Sequence, residues 1–186
     1  SWFMKRIPSG DIDLQMSVRN TQLTLRLKPI TSLVAFGEKG VSKKGDDPTA
    51  SSHYLTYPRM HSEGTMRLPN GSAIEVDGLS WMDHEISSNQ LGIDQSGWDW
   101  AGIQLINGDS IMFYRLRLMD GSQDINSIAY YLDSRGKIVK STKEFKINIL
   151  SNWSSALTRI EYPSRIELNL DKDIYIIEPT LNDQEL

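Results

Sequence analysis

The sequence predicts an all-β protein built from antiparallel strands, folded as a barrel or a sandwich. Apolar and polar residues alternate with a period of two in stretches such as DIDLQMSV (11–18) and QLTLRL (22–27), which is typical of half-buried strands. Asn-Gly or Asp-Gly pairs occur at 70–71, 107–108 and 120–121, and these pairs tolerate the positive φ angles of tight hairpin turns. The chain lacks the sustained 3.6-residue periodicity of a long amphipathic helix.

Further turn signals separate the predicted strands. Residues 19–22 join the first two strands, and 133–136 form a later turn. The Gly-, Lys- and Ser-rich stretch 37–52 is predicted to be a long exposed loop with solvated lysines. The stretch 150–164 is predicted to carry at most a short helical turn. The remaining strands are expected in GTMRLP (64–69), SAIEVDG (72–78), GWDWAGIQLI (97–106), SIMFYRLRLM (110–119), IAYYL (128–132), KIVKSTKEFKI (137–147), RIELNL (165–170) and DIYIIEP (173–179).

Composition limits the classes of function. A chain of 186 residues holds one ordinary domain or two small ones. Its net charge of −4, without a basic block, argues against nucleic-acid binding. It has no cysteine, which excludes a disulfide framework and a thiolate nucleophile. No apolar run approaches the ~20 residues that a membrane-spanning helix needs, and the first residues lack the apolar core of a signal peptide.

The stretch GLSWMDHEIS (78–87) concentrates ionisable groups between apolar residues. In an extended strand, Trp81, Asp83 and Glu85 project from one face and His84 from the other. Asp83 and His84 are therefore not expected to act as an adjacent pair. Each is expected to find its partner on a neighbouring strand.

The neighbouring segments supply aromatic side chains. Trp98, Trp100 and Gln104 share one face of their strand, with Asp99 on the other face, and Tyr114 lies on the following strand. Strands this apolar on both faces favour a barrel whose lumen binds a small hydrophobic ligand. Two alternatives remain open: the indoles belong to an ordinary core, and the charged groups only fix turns at the barrel mouth.

Three motifs carry a family resemblance. SSHYLTYPRMHSEGTM (51–66), VDGLSWMDHEISSNQLG (76–92) and GWDWAGIQLINGDSIMFYRLRLMDGS (97–122) resemble the AttH-like and hydroxyneurosporene synthase (carotenoid hydratase) family. Fungal decalin-forming Diels–Alderases resemble it more distantly. The chain departs from the pattern at Leu55, where the family has Tyr, and at Ile86, where it has Trp.

The resemblance implies two lipocalin-like domains. Residues 1–121 would form the C-terminal portion of the first domain, and 122–186 the N-terminal portion of the second. Since the family is about twice this length, a second chain or further segments are expected to complete both barrels.

The resemblance also implies a function: cofactor-independent acid–base hydration or cyclisation of a C=C bond in an elongated isoprenoid or polyketide-like molecule. A non-catalytic carrier and a shape-driven pericyclase are the alternatives. We expect Asp83 or Asp99 to donate the proton and His84 to orient water. Arg115 and Arg117 are expected to pair with Asp99 or Glu85. The predicted catalytic set is Asp83, His84, Asp99 and Tyr114, and the predicted substrate-binding set is His53, Tyr54, Trp81, Glu85, Trp98, Trp100 and Gln104.

The sequence contains no motif for metal binding, serine-dependent hydrolysis or nucleotide binding. The three histidines, at 53, 61 and 84, do not have the spacing of a zinc site. No serine lies in a Gly-x-Ser-x-Gly turn, and the Gly-rich stretch 37–45 lacks a phosphate-binding pattern. We therefore expect no metal and no nucleotide cofactor.

Overall fold

A computed structural model of the chain describes residues 1–89 and 91–185, and every regular element in them is a β-strand. The antiparallel all-β prediction is confirmed. The fourteen strands are β1 (Trp2–Arg6), β2 (Ile12–Val18), β3 (Thr21–Pro29), β4 (Val34–Ala35), β5 (Val41–Lys43), β6 (Ser51–Arg67), β7 (Ala73–Ser87), β8 (Gln95–Gln104), β9 (Ser110–Leu118), β10 (Ile128–Leu132), β11 (Ile138–Thr142), β12 (Phe145–Ser154), β13 (Glu161–Leu170) and β14 (Asp173–Ile177).

The strands form three antiparallel sheets. The largest has the order β1-β2-β3-β6-β4, with β5 and β7 also pairing with β6. The second has the order β11-β10-β9-β8, and the third β12-β13-β14. The chain divides into two compact units, Ser1–Ser141 and Thr142–Leu186. This division falls at the end of β11, before its last residue, Thr142. Strand β10 pairs with β9 and so joins the first unit. The boundary between lipocalin-like domains at 121/122 stays a prediction.

The hairpin turns lie where the dipeptide signals predict them. Gly71 (φ 85°) turns the chain between β6 and β7, and Gly108 (φ 94°) turns it between β8 and β9. The third dipeptide places Gly121 (φ 82°) in the turn after β9, and the turn predicted at 133–136 places Gly136 (φ 84°) between β10 and β11. At each position the left-handed backbone favours glycine, which has no Cβ to clash.

The main core of the first unit lies between its two sheets. Phe36 is fully buried, and its ring contacts Tyr54 (centroids 5.2 Å apart) and Tyr130 (4.6 Å). These contacts join the β6 sheet to the β9–β10 sheet. The cluster consists of Val34, Phe36, Tyr54, Met112, Tyr114, Leu116, Tyr130 and Leu132.

The segment 37–52 differs from its prediction as an exposed loop. It contains the short strand β5, and Ser42 and Ala50 within it are buried. The side chain of Lys44 is only 9% exposed, so the expectation of solvated lysines is wrong for this residue. The segment folds inward because β5 pairs with the start of β6, and because the backbone N–H of Lys44 donates to the Ala50 carbonyl at 2.8 Å.

The second unit is a three-stranded sheet. Its β12–β13 connection is closed by Glu185, which accepts hydrogen bonds from Ser155, Thr158 and Tyr162. The connection is a turn, without a helix, within 150–164. In the residues that the structure describes, no helix has the length and apolar character required to cross a membrane.

Candidate functional site

Asp83 accepts three hydrogen bonds from neutral donors. Tyr54 Oη lies 3.0 Å from Oδ2, while Thr56 Oγ1 at 2.5 Å and Trp81 Nε1 at 2.8 Å donate to Oδ1. Trp100 Nε1 in turn donates to Tyr54 Oη at 2.8 Å. Side chains of β6 and β7 therefore bind this carboxyl group directly, and β8 of the other sheet is connected to it through Tyr54.

Strand register explains why these groups converge. Asp83 pairs with Thr56, and Glu85 pairs with Tyr54, across β6 and β7. Because side chains alternate along a strand, Trp81, Asp83 and Glu85 project from one face, as predicted. Asp83 and Glu85 accept hydrogen bonds from β6 side chains, and Trp81 donates to Asp83, which confirms this arrangement.

Glycine at position 102 makes room for the indole of Trp81. A Cβ on Gly102 would lie 2.8 Å from the Trp81 ring, closer than side chains approach one another. Trp81 and Trp100 pack edge to face, with centroids 6.2 Å apart. The missing side chain thus lets the two sheets bring both indole N–H groups to the Asp83–Tyr54 pair.

A second polar group lies beside the first. Lys44 Nζ is 3.3 Å from Glu85 Oε1 and 3.6 Å from the centroid of the Tyr114 ring. Ser52 donates to Glu85, and Ser42 shares a hydrogen bond of 2.9 Å with Tyr114 Oη. Burial lowers the pKa of Lys44, and the neighbouring Glu85 carboxylate opposes that shift.

These groups surround a cavity of about 90 Å³. Its polar side carries an ammonium, a carboxylate and two phenols, and its apolar side carries indole rings. Trp98 and Trp100 are 49% and 42% exposed, which argues against the alternative that they are core residues. The lining residues are Lys44, Tyr54, Glu85, Trp98, Trp100, Tyr114 and Leu116.

Two predicted residues, His53 and His84, lie outside this cluster. Both are exposed, and alternation directs each away from the face that carries Tyr54 or Asp83. His84 pairs in register with Leu55, and His53 pairs with Ile86. The structure therefore does not bring His84 to Asp83.

Two further predicted residues, Asp99 and Gln104, also lie elsewhere. Asp99 is on the face of β8 opposite Trp98 and Trp100, where it forms ion pairs with Arg115 and Arg117. This pairing matches one of the sequence-based expectations and removes Asp99 from the cluster around Asp83. Gln104 donates to the carbonyls of Pro58 (2.9 Å) and Ser80 (3.1 Å), where β6 bulges.

Sequence reasoning missed Lys44, Ser42, Ser52 and Thr56. The three hydroxyl residues alternate with other residues of their strands, so a face assignment extended to β5 and β6 would have found them. Lys44 had no such signal, because it follows Lys43 in a Gly-rich segment and only one of the two is buried.

A separate cluster of potential metal ligands lies farther along β6 and β7. It comprises His61, Glu63 and Asp77, whose ligand atoms lie within 4.8 Å of one another. His61 Nε2 is already 2.8 Å from Asp77, and Glu63 is paired with Lys28 at 2.6 Å. With these partners in place, the cluster gives no reason to assign a metal.

The tyrosines of the cavity predict a characteristic alkaline titration. Burial, reinforced by Asp83, raises the pKa of Tyr54 above the ordinary 10.0, and burial raises that of Tyr114. Unfolded phenols lose protons near pH 10.0, so the free energy of unfolding attributable to these groups falls as pH rises past that value. We expect absorbance titration to show a class of tyrosines that ionises only as the protein unfolds. The double variant Tyr54→Phe/Tyr114→Phe should lose most of the tyrosines in that class. A single class near the ordinary value in the folded protein would contradict the burial.

The sequence profile of the AttH-like family matches residues 1–186. Among solved structures, a candidate AttH from Nitrosomonas europaea has a TM-score of 0.92 and 28% sequence identity, over 100% of this chain and 57% of that one. No protein with a curated description matches the chain.

Kievitone hydratase from Nectria haematococca is a more distant neighbour. It has a TM-score of 0.74 and 16% identity, over 95% of this chain and 54% of the hydratase, and at that identity the likeness shows the fold alone. The chain spans just over half the length of each of these two structures. The predicted lipocalin-like fold is confirmed, and with a profile match over all its residues the chain belongs to the AttH-like family.

Proposed function

We propose that this protein binds an elongated hydrophobic molecule at the indole-lined cavity and adds water across one of its C=C bonds by acid–base catalysis. One observation carries the proposal: two carboxyl groups, Asp83 and Glu85, lie on the same strand face beside a cavity with aromatic walls. Such a combination suits a reaction that passes through positive charge on carbon. Support for hydration also comes from the shared fold with kievitone hydratase.

The two carboxyl groups have different surroundings, which suggests different roles. Glu85 faces the Lys44 ammonium and is the natural proton acceptor. Asp83 is held by neutral donors, and we assign it proton donation through Tyr54. The roles that the sequence suggested for His84 and Asp99 are not retained, because both lie away from this face.

The proposed step balances without a redox partner. Tyr54 Oη gives its proton to one alkene carbon and takes up the proton of Asp83. A water oxygen bonds to the other carbon, and Glu85 accepts the proton that this water loses. A proton then returns from Glu85 to Asp83 through solvent. Trp100 donates to Tyr54 Oη, and Tyr54 Oη donates to Asp83 Oδ2, so these two hydrogen bonds hold the phenol between the indole and the carboxyl group.

The test uses kievitone and a panel of linear isoprenoids, incubated with the full-length protein in ¹⁸O-labelled water. We expect one of them to gain a single labelled water, detected by mass spectrometry. Trp98→Leu should weaken binding of that compound by roughly 10-fold, because it removes an aromatic wall. The matched control Trp2→Leu, in which the indole is 75% exposed on β1, should leave binding unchanged.

The other functions give different outcomes in the same experiment. A carrier would bind the compound and return it unaltered. A shape-driven pericyclase would produce an isomer without label, at a rate insensitive to loss of the Asp83 carboxylate. Either result would overturn the hydration proposal.

A further inference from the structure

Lys44 forms the polar floor of the cavity. Its side chain is 9% exposed, and its ammonium lies over the Tyr114 ring at 3.6 Å and 5.0 Å from the centroid of Tyr54. Burying an ammonium is costly unless it is paired, and Glu85 is its charged partner at 3.3 Å. A long flexible lysine is thus held in one position, pointing into the cavity.

A buried amide network fixes the backbone of Lys44. Gln95, itself 6% exposed, donates to the Lys44 carbonyl at 2.7 Å and to Asp124 at 2.8 Å. Asp124 is 8% exposed and accepts from Asn126. Lys44 is therefore anchored from β8 and from the segment after β9, independently of its ion pair.

The ammonium has donor capacity that Glu85 does not use. A protonated lysine has three N–H donors. Glu85 Oε1 is the acceptor for one of them, and a second points towards the face of the Tyr114 ring. The cavity is bounded by this same ammonium. An oxygen acceptor placed in the cavity would receive the remaining donor.

Charge and size restrict what that acceptor is. Glu85 already balances the charge of Lys44, so the pair carries no net positive charge and an anionic ligand end is disfavoured. A cavity of about 90 Å³ is well below the roughly 300–1,000 Å³ of a site that encloses a whole drug-sized ligand, so only the end of an elongated ligand fits inside. The apolar remainder then lies along the half-exposed indoles of Trp98 and Trp100.

We infer that Lys44 is a specificity-determining residue that selects hydrophobic molecules whose buried end carries an uncharged oxygen acceptor, a carbonyl or hydroxyl group. This inference rests on the proposed ligand cavity and adds the substrate class that the cavity accepts. It does not depend on whether water is added to the ligand.

The experiment compares three probes that share a heptyl tail: nonan-2-one, its isostere 2-methylnon-1-ene, and octanoate. Binding to the full-length protein is followed by tryptophan fluorescence, since two indoles line the cavity. We expect the ketone to bind on the order of 10-fold more tightly than the alkene or the carboxylate, as suits one hydrogen bond from a charged donor. In Lys44→Met the ketone and the alkene should bind alike.

Two further variants test whether the ketone preference is specific to Lys44 and whether its loss is independent of unfolding. Lys43→Met changes the neighbouring lysine, which is 60% exposed, and should keep the ketone preference. The double variant Lys44→Met/Glu85→Gln removes both charges, and should fold and lack the preference even where Lys44→Met alone unfolds.

The outcomes separate this inference from the proposed function. Equal binding of ketone and alkene to the natural protein, or a preference that survives removal of Lys44, overturns the inference and leaves the cavity intact. Binding of none of the probes overturns both. A ketone preference without any water addition supports the inference and contradicts hydration.

Discussion

Asp83→Asn is expected to reduce turnover by roughly 10²–10⁴-fold, because it removes the proton source of the proposed reaction. Asparagine has nearly the shape of aspartate, and its carbonyl can still accept from Thr56 and Trp81. Its amide, however, places N–H groups where Oδ2 accepts from Tyr54. Ligand affinity, followed by indole fluorescence, should change little, since Asp83 does not line the cavity.

The matched control for this variant is Asp77→Asn on the same strand. Asp77 is 74% exposed and pairs with His61, away from the cavity. Its turnover should equal that of the natural protein. Equal turnover in both variants would exclude Asp83 as the proton source, while equal loss in both would point to a general effect on β7.

Phe36→Ala is expected to lower the free energy of unfolding by about 3–5 kcal/mol. Phe36 is fully buried and joins the two sheets of the first unit through Tyr54 and Tyr130. Alanine would leave a cavity between the sheets, and the lost ring contacts would have no replacement. Urea denaturation should show a lower midpoint with an unchanged slope.

Phe3→Ala is the control for the same change of side chain. Phe3 is 48% exposed on β1, so its replacement should alter stability by less than about 0.5 kcal/mol. If Phe36→Ala were equally mild, the two sheets would not be held together by this ring. Tyr54, which packs on Phe36, should also lose its fixed position, and turnover should fall along with stability.

The fold class followed from local patterns in the sequence. Period-two alternation places one face of each strand against a neighbour, and Asn-Gly and Asp-Gly pairs supply the backbone that hairpins need. The same alternation separated Asp83 from His84 and placed Asp83 with Trp81 and Glu85. Such features depend on residues near in sequence, so they can be predicted without knowing the packing.

Which residues belong to the site depends on which face of the β8–β9 sheet packs against the β6–β7 pair. Asp83 and Asp99 both lie beside tryptophans in the sequence, yet one receives Tyr54 and the other is neutralised by arginines. The difference arises from how the β8–β9 sheet lies on the β6–β7 pair. Alternation alone says that the two faces of β8 differ, but not which one covers Tyr54.

The chain sequence by itself determined the strands, their turns and the shared face of Trp81, Asp83 and Glu85. Only the tertiary structure decided that Lys44 is buried while Lys43 is exposed, and that Gly102 leaves space for an indole. Burial of a charge is decided by partners distant in sequence, here Glu85 and Tyr114, which become available only when separate strands are brought together.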